Sequence, residues 1–310
     1  MPVSEQSQES QKLVAESVTP LDFPDLDARF RLKTATAVAS CMRLSYEEFA
    51  RGIDVAAARA EGVITVVSSV DFRLGLLPLA VAGPLHHRVE LSHCELSGHG
   101  LGSRLTRLGY ESLHTFSSPP GTGDVRRYRE LVDPDPVPCA SARIVFAMLR
   151  PKAAPAARMV SEPLEELRHL PVQPLSEPHP TAETLTAVPE KAVRTEAEHE
   201  GVFGLHHTDV NQFVYTGEYI ALMENHQTLL LRDAGIAVGG HVTERVTVLF
   251  KAPFSAGDEY VVRSAFHRSG TPNAPSTVAV IGVHRRTPEG TDPRPAALGR
   301  VEGRTPPAQS

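Results

Sequence analysis

Apolar residues along the chain fall into two series of the same order, each a helix-spaced segment followed by segments of alternating character. In the C-terminal series, Tyr215, Tyr219, Ile220, Leu222, Met223, Leu229, Leu230 and Leu231 keep a helical spacing between Tyr215 and Arg232. Gly217 weakens the first turn, while Arg232 before Gly235 supplies the cationic, glycine-terminated end that helices favour. An extended run from Val193 to Leu205 precedes this helix. Strands are expected after it at His241 to Phe250, Glu259 to His267, Ser276 to Arg285 and Ala296 to Val301. Within the first of these, Thr243, Arg245 and Thr247 alternate with Val246, Val248 and Phe250, the period of a half-buried strand.

The N-terminal series repeats the order without repeating the residues. An extended run from Arg29 to Ala39 leads to a helical segment Tyr46 to Glu61, then to strands at Val63 to Leu74, His87 to Leu96, Ser103 to Phe116 and Pro138 to Arg150. If Phe49 is laid on Tyr219, Glu48 falls on Glu218, Cys41 on Asn211 and Ala39 on Asp209. Between the series lies a stretch dense in Pro, Ala and Glu, whose prolines prevent a long helix. The expected organisation is therefore a disordered tail 1–27, a first repeat 28–152, an exposed linker 153–192 without a core of its own, a second repeat 193–304, and a tail 305–310.

A length of 310 residues suits two domains. A net charge of −6 with scattered arginines argues against a nucleic-acid partner. Cys41, Cys94 and Cys139 are odd in number and far apart, which argues against a disulfide framework and for a reducing cytoplasm. The first seventeen residues have neither the cationic start nor the apolar core of a secretory signal. No apolar run approaches the roughly 20 residues of a membrane span, so a soluble protein is expected.

Candidate chemistry centres on Asp209, in a polar turn shortly before the Tyr215 helix. Asp209, Val214-Tyr215, Tyr219 and Glu224, continued by Thr228, Leu231 and Arg232, resemble the start of the central helix in hotdog-fold thioesterases of the 4-hydroxybenzoyl-CoA type. Asp209-Val-Asn211 is also similar to the Asp-x-Asn-x-His run of acyl-ACP thioesterases, with Phe213 where that branch has its His. The resemblance implies an α+β double hotdog, two antiparallel sheets each wrapped around a central helix, with the first copy degenerate at Ala39. It implies acyl-CoA or acyl-carrier-protein thioesters as substrates, no cofactor, and a monomeric double hotdog or a homodimer. In that reading Asp209 acts as general base or nucleophile, Asn211, His207 and Tyr215 assist, and Thr216, Gly217 and Glu224 bind substrate, with first-turn N–H groups of the helix facing the oxyanion.

Each residue also has a structural reading. An Asp before a helix commonly caps or turns the chain, Asn211 suits an Asx turn, and Glu224 suits a solvated or structural carboxylate. His206 and His207, taken as extended, point to opposite faces, so at most one reaches Asp209. The run from His86 to His99 tempts a metal reading, but His87, His93 and His99 lie six residues apart on one strand, about 20 Å per step, too far for zinc ligands. Cys41 and Cys94 read as buried small residues, and Arg126, Arg127 and Arg129 as surface charge or a contact for CoA phosphates. Two alternatives to hydrolysis stay open: a biosynthetic enzyme that transfers, decarboxylates, dehydrates or cyclises an acyl thioester, and a non-catalytic acyl-binding protein.

Overall fold

The computed structural model describes residues 12–52, 55–96, 107–154, 157–165, 170–188, 193–209, 212–271 and 274–306. The first half contains β1 (Leu13–Pro20), α1 (Thr34–Gly52), α2 (Val55–Ala60), β2 (Ile64–Leu74), β3 (Pro84–Glu95), β4 (Leu108–Ser118) and β5 (Val137–Leu149). A connecting stretch carries β6 (Gln173–Pro174) and α3 (Ala182–Thr186). The second half contains β7 (Val193–Val202), α4 (Thr216–Asp233), β8 (Val242–Phe250), β9 (Glu259–Thr271), β10 (Ala274–Thr287), β11 (Gly290–Thr291) and β12 (Ala297–Arg304).

Strand order in the first half is β1-β3-β4-β5-β2, and in the second β8-β12-β10-β9-β7, the same order read from the other end. Antiparallel pairing of β2 with β8 joins them, so the expected pair of sheets is one continuous twelve-stranded sheet. Helix α1 packs on β3 and β5, α4 on β12, and the two helices on each other. This is the α+β double hotdog, its helices sharing one core with Phe72, Tyr110, Ile144, Tyr219, Met223 and Val246. No helix among the described residues is long and apolar enough to cross a membrane.

Three sequence expectations change. Of the tail expected over 1–27, residues 1–11 lie outside the described residues and Leu13–Pro20 form β1, antiparallel to β3 from Leu13↔Leu91 to Pro20↔Pro84. It is an edge strand, and the polar residues that made it look like a tail form cross-strand pairs, Arg88 with Glu16 and Lys12 with Glu90. The first long helix begins at Thr34, not Tyr46, because buried Ala37, Val38, Cys41, Met42 and Ser45 already form a helical stripe of small residues ahead of Tyr46.

The stretch 153–192 is not a bare linker. Val160, Leu164, Leu170 and Leu185 are buried, and β6 pairs in parallel with β3 at Cys94↔Gln173. Glu111 accepts hydrogen bonds from the N–H and Oγ of Ser176 at 2.9 and 2.8 Å, and Arg143 donates to the Glu177 carbonyl at 2.6 Å. Prolines limit this stretch to the short helix α3 but do not prevent packing. Val160, Leu164 and Leu170 join the main core, while Met159 and Leu175 pack on an outer cluster of Cys94, Leu96, Val145 and Ala147.

At the seam Asp71 on β2 accepts from Arg245 Nε and Nη2 at 2.7 and 2.9 Å and from Thr247 Oγ1 at 2.9 Å, all on β8. Burial alone would raise the Asp71 carboxyl, but the Arg245 and Thr247 bonds outweigh it and leave its pKa lowered. A depressed carboxylate stabilises the fold above its unfolded pKa and loses that contribution as pH falls. Asp71→Ala is therefore expected to cost about 1–3 kcal/mol at pH 7. Thermal melts should show the gap from wild type narrowing below about pH 4.

Candidate functional site

Asp209 sits in a turn closed by its own backbone. Its N–H donates to the Phe213 carbonyl and its carbonyl accepts from the Gln212 N–H, both at 2.9 Å. Gln212 takes a left-handed φ of 64° to allow this, a conformation that a non-glycine residue adopts at a cost. Thr208 bridges Val214, and the Tyr215 N–H donates to the His207 carbonyl at 2.8 Å. The chain thus passes from the turn straight into α4 with Tyr215 as the residue before its first turn. Val210 and Asn211 lie outside the described residues.

The amides of Thr216 and Gly217 open α4 and by helix geometry have no acceptor within it. Gly217 leaves room for the Tyr215 ring: a Cβ would stand 2.8 Å from Tyr215 Cε1, so the ring would have to shift, and at an ordinary contact distance of 3.5 Å from Val38 Cγ1 on α1. Burial, then Tyr46, Cys41, Asp209 and Glu218, push the Tyr215 hydroxyl up to about 12. Burial and then the Asp209 charge also raise Tyr46, on α1. Both phenols stay protonated at neutral pH. The Asp209 charge thus acts on a tyrosine of each repeat, Tyr215 of the second and Tyr46 of the first.

Other expected residues take different places. His207 lies in a single helical turn, Leu205–His207, not a strand, and its ring is 3.9 Å between centroids from that of His206. Its Nδ1 accepts from the Gly204 N–H at 2.8 Å, which puts the proton on Nε2, 4.0 Å from a Glu218 carboxylate oxygen. Glu224 lies in the middle of α4 and accepts from Thr34 Oγ1 of α1 at 2.6 Å, so it ties the two helices together. Arg127 pairs with Glu130, and Arg129 lies over the Tyr128 ring. Tyr46 and Glu218 were not singled out from the sequence. Glu218, third in its helix, carried a signal in the N-terminal preference for acids, whereas Tyr46 needed the inter-repeat packing.

The structure also corrects the alignment of the copies. Thr34 and Thr216 start equivalent helices, which lays Asp27, not Ala39, on Asp209. The same turn is present there: the Asp27 N–H donates to the Arg31 carbonyl, the Phe30 N–H to the Asp27 carbonyl, Phe30 has φ 60°, and Leu26 bridges Leu32. Asp27 is nevertheless engaged. It accepts from the N–H groups of Arg29 and Arg31 at 2.8 and 3.0 Å and forms an ion pair with the buried Arg31 guanidinium.

No protein-family model and no curated sequence matches the chain. Solved structures match over nearly its whole length. An acyl-ACP thioesterase from Bacteroides thetaiotaomicron aligns with TM-score 0.57 and 13% identity over 94% of this chain and 97% of its own. A putative oleoyl thioesterase from Lactobacillus plantarum gives 0.61 and 13% over 96% and 98%. The 12:0-ACP thioesterase from Umbellularia californica gives 0.59 and 11% over 94% of each. At such identity the likeness is one of fold: the chain is a fused double hotdog built like these proteins.

Burial raises the Glu224 carboxyl despite its bond from Thr34. A raised acid favours folding below its unfolded pKa and disfavours it as pH climbs through the folded value. Glu224→Gln keeps an acceptor for Thr34 and removes the charge. Its melting temperature should exceed wild type by roughly 2 °C at pH 7.5 and match it near pH 4, as scanning calorimetry at the two pH values would show.

Proposed function

We propose that the protein hydrolyses an acyl thioester, carried by coenzyme A or an acyl carrier protein, at the Asp209 turn. The observation that carries this reading is the closed backbone turn that leads Asp209 straight into α4, whose opening amides have no acceptor within the helix. A thioester carbonyl needs donors for its oxygen and a nucleophile for its carbon. The Thr216 and Gly217 N–H groups, at the positive end of an 18-residue helix, suit the developing oxyanion. Asp209 either takes a proton from the attacking water or attacks directly to form a mixed anhydride that water then opens. In both routes the C–S bond breaks and the thiolate leaves with a proton. Protonated Tyr215 and Tyr46 are the nearby donors, and Asn211 is assigned by its place in the motif.

His207 acts through Glu218, as a positioning pair at the helix entry, and Glu224 holds the two helices in register. Both halves of the site come from one chain, so a monomer suffices. The fold neighbours named for acyl-ACP or oleoyl thioesters support fatty-acyl or related polyketide acyl groups as the substrate class. A soluble, cytoplasmic setting fits such substrates and the three unbridged cysteines.

Mass spectrometry of products from a panel of acyl-CoA and acyl-ACP thioesters should show free acid. Asp209→Asn should lower turnover by about a hundredfold or more while leaving the melting temperature near wild type. Full activity in that variant on the preferred substrate would remove Asp209 from the chemistry. Gly217→Ala should lower kcat by roughly ten- to a hundredfold, because its methyl displaces the Tyr215 ring.

A further inference from the structure

The histidine-rich strand β3 plays no part in thioester hydrolysis at Asp209, and it carries a second site. We propose that Cys41, His87 and His114 bind a single zinc-class metal ion. Cys41 comes from α1, His87 from β3 and His114 from β4, and their Sγ and ring nitrogens all lie within 4.8 Å of one another. The partners of His87 come from a neighbouring strand and a helix, and not from the spacing along β3 that the sequence brought forward. His99 lies outside the described residues.

The orientation of the rings is that of ligands. His87 Nε2 and His114 Nδ1 point at each other across 2.9 Å. Their other nitrogens are fixed from behind, His87 Nδ1 by Ser40 Oγ at 2.8 Å, and His114 Nε2 by Ser112 Oγ at 2.9 Å and Ser45 Oγ at 3.2 Å. Hydroxyl or carbonyl partners on the far nitrogen are what set the tautomer of metal-bound histidine. A tetrahedral ion about 2.05 Å from each nitrogen would set them roughly 3.3 Å apart, a small opening from the distance seen.

The other repeat provides an internal control. Helix starts and strand registers lay Cys41 on Met223, His87 on Val262, His114 on Ile281 and Ser112 on Ala279. These second-half residues are 0% exposed and apolar. The fold is satisfied by hydrocarbon at these places, yet the first half buries a thiol and two imidazoles at 0%, 2% and 1% exposure. Hydrogen bonds between the rings and to the serines offset the cost of burying them, and the apolar twin shows that the fold itself does not require them there.

On binding, the Cys41 S–H bond breaks, its proton leaves to solvent and a sulfur–metal bond forms. The proton between the two rings moves to His87 Nδ1, which then donates to Ser40 Oγ. A thiolate with two imidazoles selects zinc or cobalt(II) over magnesium or calcium, and leaves one tetrahedral position for a non-protein ligand.

The test uses the full chain, purified from zinc-supplemented cells and also stripped and titrated with cobalt(II). One zinc per chain is expected, with the intense visible bands of tetrahedral cobalt and a near-ultraviolet sulfur-to-cobalt band that Cys41→Ser abolishes. The wild-type cobalt spectrum decides even if that variant folds poorly. Absence of both bound zinc and the sulfur band in wild type would overturn the site. So would metal retained in Cys41→Ser but lost in His206→Ala or His207→Ala, which would place it on the exposed pair.

Discussion

Antiparallel pairing of β2 with β8, Ser69 to Arg73 against Leu249 to Arg245, is the constraint on which the rest of this molecule depends. It turns two five-stranded units into one sheet and sets their helices antiparallel, with Thr34 beside Glu224 and Val38 beside Gly217. Without that register the opening turn of α4 would face solvent rather than α1. The Asp71, Arg245 and Thr247 cluster adds direction to a pairing that backbone hydrogen bonds alone would leave free to slip.

Within this frame the two halves share a turn and differ in one of its closing residues. Each turn has an Asp, a left-handed residue three positions on, and a bridge across its base. The fourth position separates them. Arg31 folds back on Asp27 and neutralises it, while Phe213 offers no charge to Asp209. At this position the first turn carries a cation and the second an aromatic ring.

Much of this was legible in the sequence. The α4 helix, its Asp209 turn and the succession of strands after each helix come from period and punctuation, because those segments pack one face and expose the other, whereas the pairing of β8 with β12 and of β2 with β5 does not. The N-terminal copy was harder, since α1 buries small residues such as Ala37, Cys41 and Ser45 that carry weak hydrophobic signal. Placing that helix twelve residues late moved the alignment from Asp27 to Ala39 and hid the shared turn. β1 and the packed connector were missed for a related reason. Edge strands and straps are held by backbone bonds and isolated apolar anchors, such as Leu185, rather than by a periodic face. Tyr46, His87 and His114 gain their roles from neighbours far away in sequence, which no spacing rule reports.

The pseudo-twofold relation between the halves has a genetic consequence. In a homodimer, each codon specifies both copies of a position, so a change that suits one site is imposed on the other. Here every position is encoded once. The chain can hold Arg at one turn and Phe at the other, and imidazole in one core against isoleucine in its twin. Selection can thus tune reactivity in one lobe while the opposite lobe drifts toward support, a division of labour closed to an identical pair of subunits.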